Sequence, residues 1–403
     1  MVEYDPFSDV LRDDPFPTYA RLRAESPVHY VERLDVWALS RFDDVWQAGA
    51  DPATFSSPGP PLQTMATAEI IQSEDPVDAA ARGSIFGMNP PQHTELRKRL
   101  AAFFSPRGVG RLEERVRAVA HDCVAAALPR GQLDVIGDLA AQVSTRVVCL
   151  LLGLPLEDGP HLTRVVTRFF AREPGVEGMP PDAMAASAEL NEYLLGAVQE
   201  RRRRGVGDAD VLDLYMSAAI DDRPYDEAEL ASHLMTLVVG GTETLPKVFA
   251  GGVWQLARHP AQRAELVADP SLIPHAFTEI ARYEMPTQFL SRTASVDTEV
   301  RGQPIRAGQG VLLLYRSANR DAAEFDDPDV FDIHRRPSRI LSFGHGTHVC
   351  LGQHAARLEA KIMYEELLAA IPDYGVREED IVPARSEFVA GYLSMPITFP
   401  AMA

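Results

Sequence analysis

The run LSFGHGTHVCLGQHAARLEAKIMYEELL, residues 341–368, gathers one thiol, three imidazoles and three glycines. Glycines at 344, 346 and 352 let the backbone turn tightly and approach a flat ligand closely, and the amphipathic spacing after Gly352 opens a helix. A cysteine at the start of a helix has unspent N–H groups and the positive dipole end beside its sulfur, which favours thiolate over thiol. Such a sulfur is a strong axial ligand for heme iron. Two other readings stay open on these residues alone. His345, His348, Cys350 and His354 offer four zinc ligands at a spacing poor for that metal, and the run is also compatible with an ordinary glycine turn before a helix.

A second constellation lies in EAELASHLMTLVVGGTETLPKVFAGGVWQLAR, residues 227–258, which reads as one long helix with GGTET at its centre. Gly240 and Gly241 each cost a helix interior about 1 kcal/mol relative to alanine, a cost that a bulky cofactor pressed against the backbone would offset. The Thr244 hydroxyl can bond back to the Gly240 carbonyl and loosen the ladder, and Glu243 supplies a carboxyl group for proton relay. Pro246 removes an N–H that would bond the Thr242 carbonyl, so the distortion is expected to be unusually long. A plain helix kink with a solvated Glu243 is the alternative.

Phe343 through Gly352 matches Phe-Gly-x-Gly-x-His-x-Cys-x-Gly in full, and on that signature the sequence resembles the cytochrome P-450 superfamily; the likeness runs along essentially the whole chain. The resemblance implies heme b (iron protoporphyrin IX) with Cys350 as proximal iron ligand, Phe343 shielding the sulfur, and Glu243 with Thr244 as the acid–alcohol pair that delivers protons to iron-bound oxygen. It implies that His93, Arg97, Arg292 and His348 hold the heme propionates. Glu279 and Arg282, three apart in AFTEIARYEMP, match Glu-x-x-Arg, which Arg335 completes as a structural triad. Matching positions of the distal pocket are Ile85, Phe86, Thr236, Val239, Thr287, Gln288, Phe388 and Val389, mainly apolar, with one hydrogen bond available from Gln288 or Thr287.

The elements that must position these groups are mostly helical. Segments 110–128, 135–153, 186–204, 227–258 and 351–371 have helical spacing, while strand-like runs concentrate at 27–55, 290–320 and 385–400. The expected architecture is mainly α: the cytochrome P-450 fold, a large helical body with small β-sheets at one side, forming a single heme domain over residues 1–403. Residues 52–92, rich in Pro, Ser, Gly and Met, are expected to form a substrate lid.

Composition narrows the partners. A net charge of −19 repels phosphate backbones, which disfavours nucleic acid. Cys123, Cys149 and Cys350 are too few and scattered for a disulfide framework. The acidic, proline-bearing start MVEYDPFSDVLRDDPFPTY lacks the pattern of a leader or anchor, and no stretch reads as a bilayer span, so a soluble, cytoplasmic, monomeric protein is expected. The expected chemistry is insertion of one atom of O2 into a hydrophobic small molecule, with electrons from a ferredoxin and ferredoxin reductase, or similar donors, docking on Arg97, Lys98, Arg99 and Arg107. Desaturation, oxidative coupling or peroxide-driven oxidation on the same iron is the second reading, and a non-catalytic heme sensor the third. The run Arg201–Arg204 reads as a solvated helix end.

Overall fold

The computed structural model describes residues 2–57, 84–173, 176, 178–220 and 223–401. Helices that frame the site are α1 (Phe42–Ala50), α2 (Gln92–Phe104), α3 (Glu113–Ala127), α4 (Ala141–Leu152), α5 (Gly159–Phe169), α6 (Pro181–Arg204), α7 (Glu227–Thr242), α8 (Thr244–Arg258), α9 (Ile273–Tyr283) and α10 (Gln353–Ala370). Their ends follow local chemistry. Asp226 accepts from the Glu229 N–H while Glu229 accepts from the Asp226 N–H, a reciprocal cap that fixes the start of α7. Proline stands in the first turn of α6 and α9, and α4 stops at Gly153 with φ of +70°.

The apolar stripes of these helices meet in one large core. There α7 lies between α4 and α6, α5 packs on α6, and α10 sits among α3 and α9. At one side a five-stranded sheet runs β1 (Val28–Val31), β2 (Val36–Leu39), β5 (Gly310–Leu313), β4 (Leu290–Ala294), β3 (Phe55–Ser56). Among the described residues, β2 and β5 are the one pair of strands that runs in parallel, with Val36 opposite Gly310 and Leu39 opposite Leu313. Smaller sheets join Gln132–Asp134 to Pro396–Thr398 and Val382–Ala384 to Gly391–Ser394.

Two sequence expectations change, and a third falls largely outside the described residues. The helix expected over 227–258 is two helices, because Glu243 departs to φ −104°, ψ −41° where Pro246 denies the Thr242 carbonyl its N–H. The stretch Val135–Leu152, with mean hydropathy 1.6, is long and apolar enough to pass for a bilayer span, and 72% of it is buried inside the molecule as part of the core. The expected lid over 52–92 falls largely on residues 58–83, outside the described residues.

Candidate active site

The cysteine loop is held from three directions. The Cys350 N–H donates to the Phe343 carbonyl at 2.7 Å, closing the loop on itself. Gly346, at φ +75°, lies against the backbone of Gly49 in α1, so close that a side chain at 346 would collide with the Gly49 carbonyl. Arg357 of α10 lies over the Phe343 ring at 4.8 Å. Upstream, Asn319 accepts from the Leu341 N–H at 2.9 Å and donates to the Ser342 hydroxyl at 3.1 Å, which donates in turn to the Ala281 carbonyl at 2.9 Å.

That anchoring traces back to Glu279, Arg282 and Arg335. Arg282 donates twice to the Glu279 carboxylate, at 2.6 and 2.7 Å, and Arg335 donates to the same carboxylate at 3.2 Å. Glu279 and Arg282 have no solvent exposure. Arg282 also donates to the carbonyls of Asn319 and Pro328, both at 2.9 Å, so one guanidinium ties α9 to the segment that precedes the loop. A buried ion pair is sustained only when its remaining protons are spent in this way.

Cys350 is surrounded by protein, yet its surface is accessible, so it borders open room inside the fold. Its sulfur accepts from the Gly352 N–H, and Arg97 is nearby; both pull the thiol toward ionisation, but burial pushes it up and prevails. In the protein alone, burial thus outweighs the pull toward thiolate expected of the loop. Cys149 is buried and its thiol is raised to about 11, and burial raises Cys123 too, as inert core thiols should be.

Four basic side chains converge beside the loop. His93 of α2 and His348 stack with ring centroids 4.1 Å apart. Arg97, one turn after His93, donates to the Val349 carbonyl, and Arg292 projects from β4, where it pairs in register with Val311. His93 Nδ1 and Nε2 and His348 Nε2 are buried without a hydrogen-bond partner. Burial depresses both imidazoles first, and the two arginines depress them further, His93 to about 4 and His348 to about 2. Buried donors with unspent hydrogen-bonding capacity and mutually repelling charges make a site for an anion. Gly240 and Gly352 complete the setting: an added methyl at either would meet no atom within 4 Å, whereas one at Gly241 would come within 2.5 Å of Val148. Gly240 thus borders open room, and Gly241, expected to do the same, is instead required by the packing of α7 on α4. This donor set fits a heme with two carboxylates, with the thiol available to its iron.

On the helix break, Thr244 donates to the Gly240 carbonyl at 3.3 Å, and Thr242 makes the equivalent bond to Val238 at 2.8 Å. Glu243 is buried and accepts from Lys247, so it is neither solvated nor unpaired. Lys247 was overlooked in the sequence, although an acid followed four residues later by a lysine was the available signal.

The pocket positions divide. Thr236 and Val239 are half-buried on α7, and Thr236 donates to the Ser84 hydroxyl at 2.9 Å. Ile85 is buried, Phe86 is 45% exposed, and Thr287 is half-buried. Gln288 is corrected. Successive residues of extended chain point to opposite sides, and its amide donates to the carbonyls of Ser386 and Glu387 and accepts from Tyr19 at 3.0 Å, so that its N–H groups are spent and the side chain is buried among protein partners. Val389 is 1% exposed and bridges Thr287 through the backbone, and Phe388 is buried against Phe289; Val389 has too little free surface to line a pocket. Two charge expectations also change. Arg97 turns inward and leaves the docking cluster to Lys98, Arg99 and Arg107. Arg201 is tied to Asp210 and Asp213 rather than solvated. The zinc alternative fails on geometry, because His345 stacks on Trp46 at 3.4 Å while His348 turns to His93.

The family model for cytochrome P450 matches residues 265–370, which contain both the Glu279–Arg282 pair and the cysteine loop. Cytochrome P450 130 of Mycobacterium tuberculosis is 33% identical over 95% of this chain and 94% of its own length. The chain belongs to the cytochrome P450 family. A methyl-branched lipid omega-hydroxylase of the same organism is also 33% identical, over 99% of this chain and 93% of its own. Among solved structures, CYP109E1 from Bacillus megaterium in complex with testosterone superposes with a TM-score of 0.85 at 27% identity, covering 97% of this chain and 99% of that one. This cytochrome P450 is accordingly a heme-dependent monooxygenase, mainly helical with small sheets at one side.

Proposed function

We propose that Cys350 ligates the iron of a heme b whose propionates are held by His93, Arg97, Arg292 and His348, in a single heme domain. The convergence of those four bases, with three unspent ring nitrogens, beside a thiol open to internal room carries this reading. When bound, the heme supplies activation of dioxygen and its insertion into a C–H or C=C bond.

The chain's own residues do the rest. Cys350 donates electron density from a loop that Gly346, Asn319 and Ser342 immobilise. Thr244 holds its hydroxyl beside the open backbone of Gly240, and Glu243 supplies protons to it. Ile85, Thr236, Val239 and Thr287 face a hydrophobic substrate, with the Thr236 and Ser84 hydroxyls as its polar contacts. Electrons come from a separate ferredoxin-type donor that docks on Lys98, Arg99 and Arg107, all exposed. A monomeric, cytoplasmic protein accords with the acidic composition and with the burial of Val135–Leu152.

Reduction followed by carbon monoxide should give the long-wavelength Soret band of a thiolate-ligated heme, and Cys350→Ala should abolish it. Retention of that band in the variant overturns the ligand assignment. A colourless protein overturns the whole reading.

A further inference from the structure

Arg357 stands on the second turn of α10, the helix that opens beside Cys350, and is half-buried with its guanidinium over the Phe343 ring at 4.8 Å. Its Nη1 donates to the Thr278 hydroxyl of α9 at 3.2 Å, a neutral acceptor. Among the described residues no carboxylate lies within ion-pair distance of it, and burial makes its charged form costlier with no acid close enough to offset that. Compensation is the rule for the cations around it. One turn on, Lys361 is paired with Glu113 at 3.5 Å and Glu365 at 3.8 Å, and Arg117 of α3 is paired with Glu365 at 2.6 Å and Glu366 at 2.9 Å. In a chain with 58 acids against 39 lysines and arginines, a half-buried arginine without an acid calls for some other negative partner.

The cysteine loop supplies one. The Phe343 carbonyl accepts from the Cys350 N–H at 2.7 Å, so the ring under the guanidinium and the sulfur belong to one closed loop. An aromatic ring turns its negative face to a cation over it, which fixes Arg357 against the loop, while Thr278 holds it from the helix that carries Glu279 and Arg282. Arg97 is placed differently, since it donates to the Val349 carbonyl among the four bases, where a bound anion would answer its charge. Arg357 meets the ring rather than the sulfur, so its charge acts on the loop without spending a hydrogen bond on Cys350.

We infer that Arg357 sets the reduction potential of the heme iron, its fixed charge over Phe343 answering the Cys350 thiolate and favouring the ferrous state. The inference rests on the reading of Cys350 as the iron ligand. In this step one electron passes from the external donor to ferric iron, and no bond or proton moves. The site gains one negative charge, which a nearby cation stabilises more strongly where the surrounding protein excludes water. A hydrogen bond to the sulfur would raise the potential by withdrawing electron density from the ligand. The Arg357 charge does so through space and leaves the density on the sulfur.

The test uses the holoenzyme with Arg357→Leu, Arg357→Gln and Arg357→Lys, each equilibrated with a one-electron redox dye of known potential while the ferrous fraction is read from the Soret band. At a poise that leaves the parent half reduced, Arg357→Leu should lower the ratio of ferrous to ferric protein about threefold or more, with Arg357→Lys near the parent. Arg357→Gln, which keeps a donor for Thr278 without the charge, should behave as Leu does, and serves if the Leu variant fails to fold. The carbon monoxide complex of each variant should keep the thiolate band. A ratio unchanged in the neutral variants, or lowered as far in Arg357→Lys, overturns the role of the charge. Loss of the thiolate band in Arg357→Gln also overturns it, by making Arg357 a support of the loop. A raised KM for reduced ferredoxin with an unchanged ratio overturns it in favour of partner docking. If the parent itself lacks the thiolate band, the reading of Cys350 as ligand fails instead.

Discussion

His93 and His348 stack at 4.1 Å with their ring planes 35° apart, although one belongs to α2 and the other to the cysteine loop. Two imidazoles with unspent nitrogens between two arginines would repel one another if charged, so the contact is stable only while both are neutral or an anion lies among them.

Loss of one arginine should therefore loosen the heme more than it unfolds the chain. A hydrogen bond to a charged group contributes about 1.5–3 kcal/mol, so Arg97→Leu or Arg292→Leu should speed heme transfer to a scavenger apoprotein by about tenfold or more. An unchanged transfer rate in both variants removes them from the propionate site.

Glu359 of α10 is buried with the Ser144 hydroxyl, at 2.8 Å, as its hydrogen-bond donor, and burial pushes its carboxyl up to about 8. The folded chain thus holds a proton that the unfolded chain releases near the ordinary carboxylate value. Between those two pH values the folded state binds more protons, so this group's contribution to stability falls as pH rises, by up to about 1.4 kcal/mol per pH unit. Glu359→Gln should flatten denaturant-measured stability between pH 5 and 8, and a slope equal to the parent's would show that Glu359 ionises without cost.

Breaking the Glu279–Arg282 pair by removing the arginine leaves the buried carboxylate with only the longer ion pair to Arg335, at a cost of up to about 3–5 kcal/mol. Arg282→Met should lower thermal stability accordingly. It should also raise the rate at which Cys350 is alkylated in heme-free protein, because Asn319, and through it Leu341 and Ser342, lose their anchor. Alkylation at the parent rate would separate the ion pair from the loop.

Thr287 and Gln288 are neighbours with opposite assignments. Thr287→Val should change which apolar ligands shift the heme spin state and leave stability within about 0.5 kcal/mol. Gln288→Leu should cost about 1–3 kcal/mol by orphaning the Ser386 and Glu387 carbonyls and leave ligand preference alone. The reverse pattern would put Gln288 in the pocket.

Spacing made the cysteine loop and the Glu279–Arg282 pair legible in the sequence, since each depends on residue type at a fixed offset, whereas the four bases, spread from His93 to His348, followed only from the resemblance to the family. Direction was not legible. Whether Gln288 faces a pocket or a neighbouring strand is decided by backbone pairing with residues about a hundred positions later. Gly241 looked equivalent to Gly240 until α4 placed Val148 against it. The sulfur's own chemistry was also hidden, because a loop that offers an N–H to Cys350 says nothing of how deeply the fold buries it.

The parallel pairing of β2 with β5 has a consequence for biogenesis. The β1–β2 hairpin leaves the ribosome early, but the strand that must lie beside β2 follows roughly 270 residues later, on the order of tens of seconds at ordinary elongation rates. Gly49 waits longer still for Gly346. The nascent chain therefore holds an unpaired, apolar β2 edge through most of its synthesis, and chaperone occupancy of residues 28–39 should end only when the last quarter of the chain emerges.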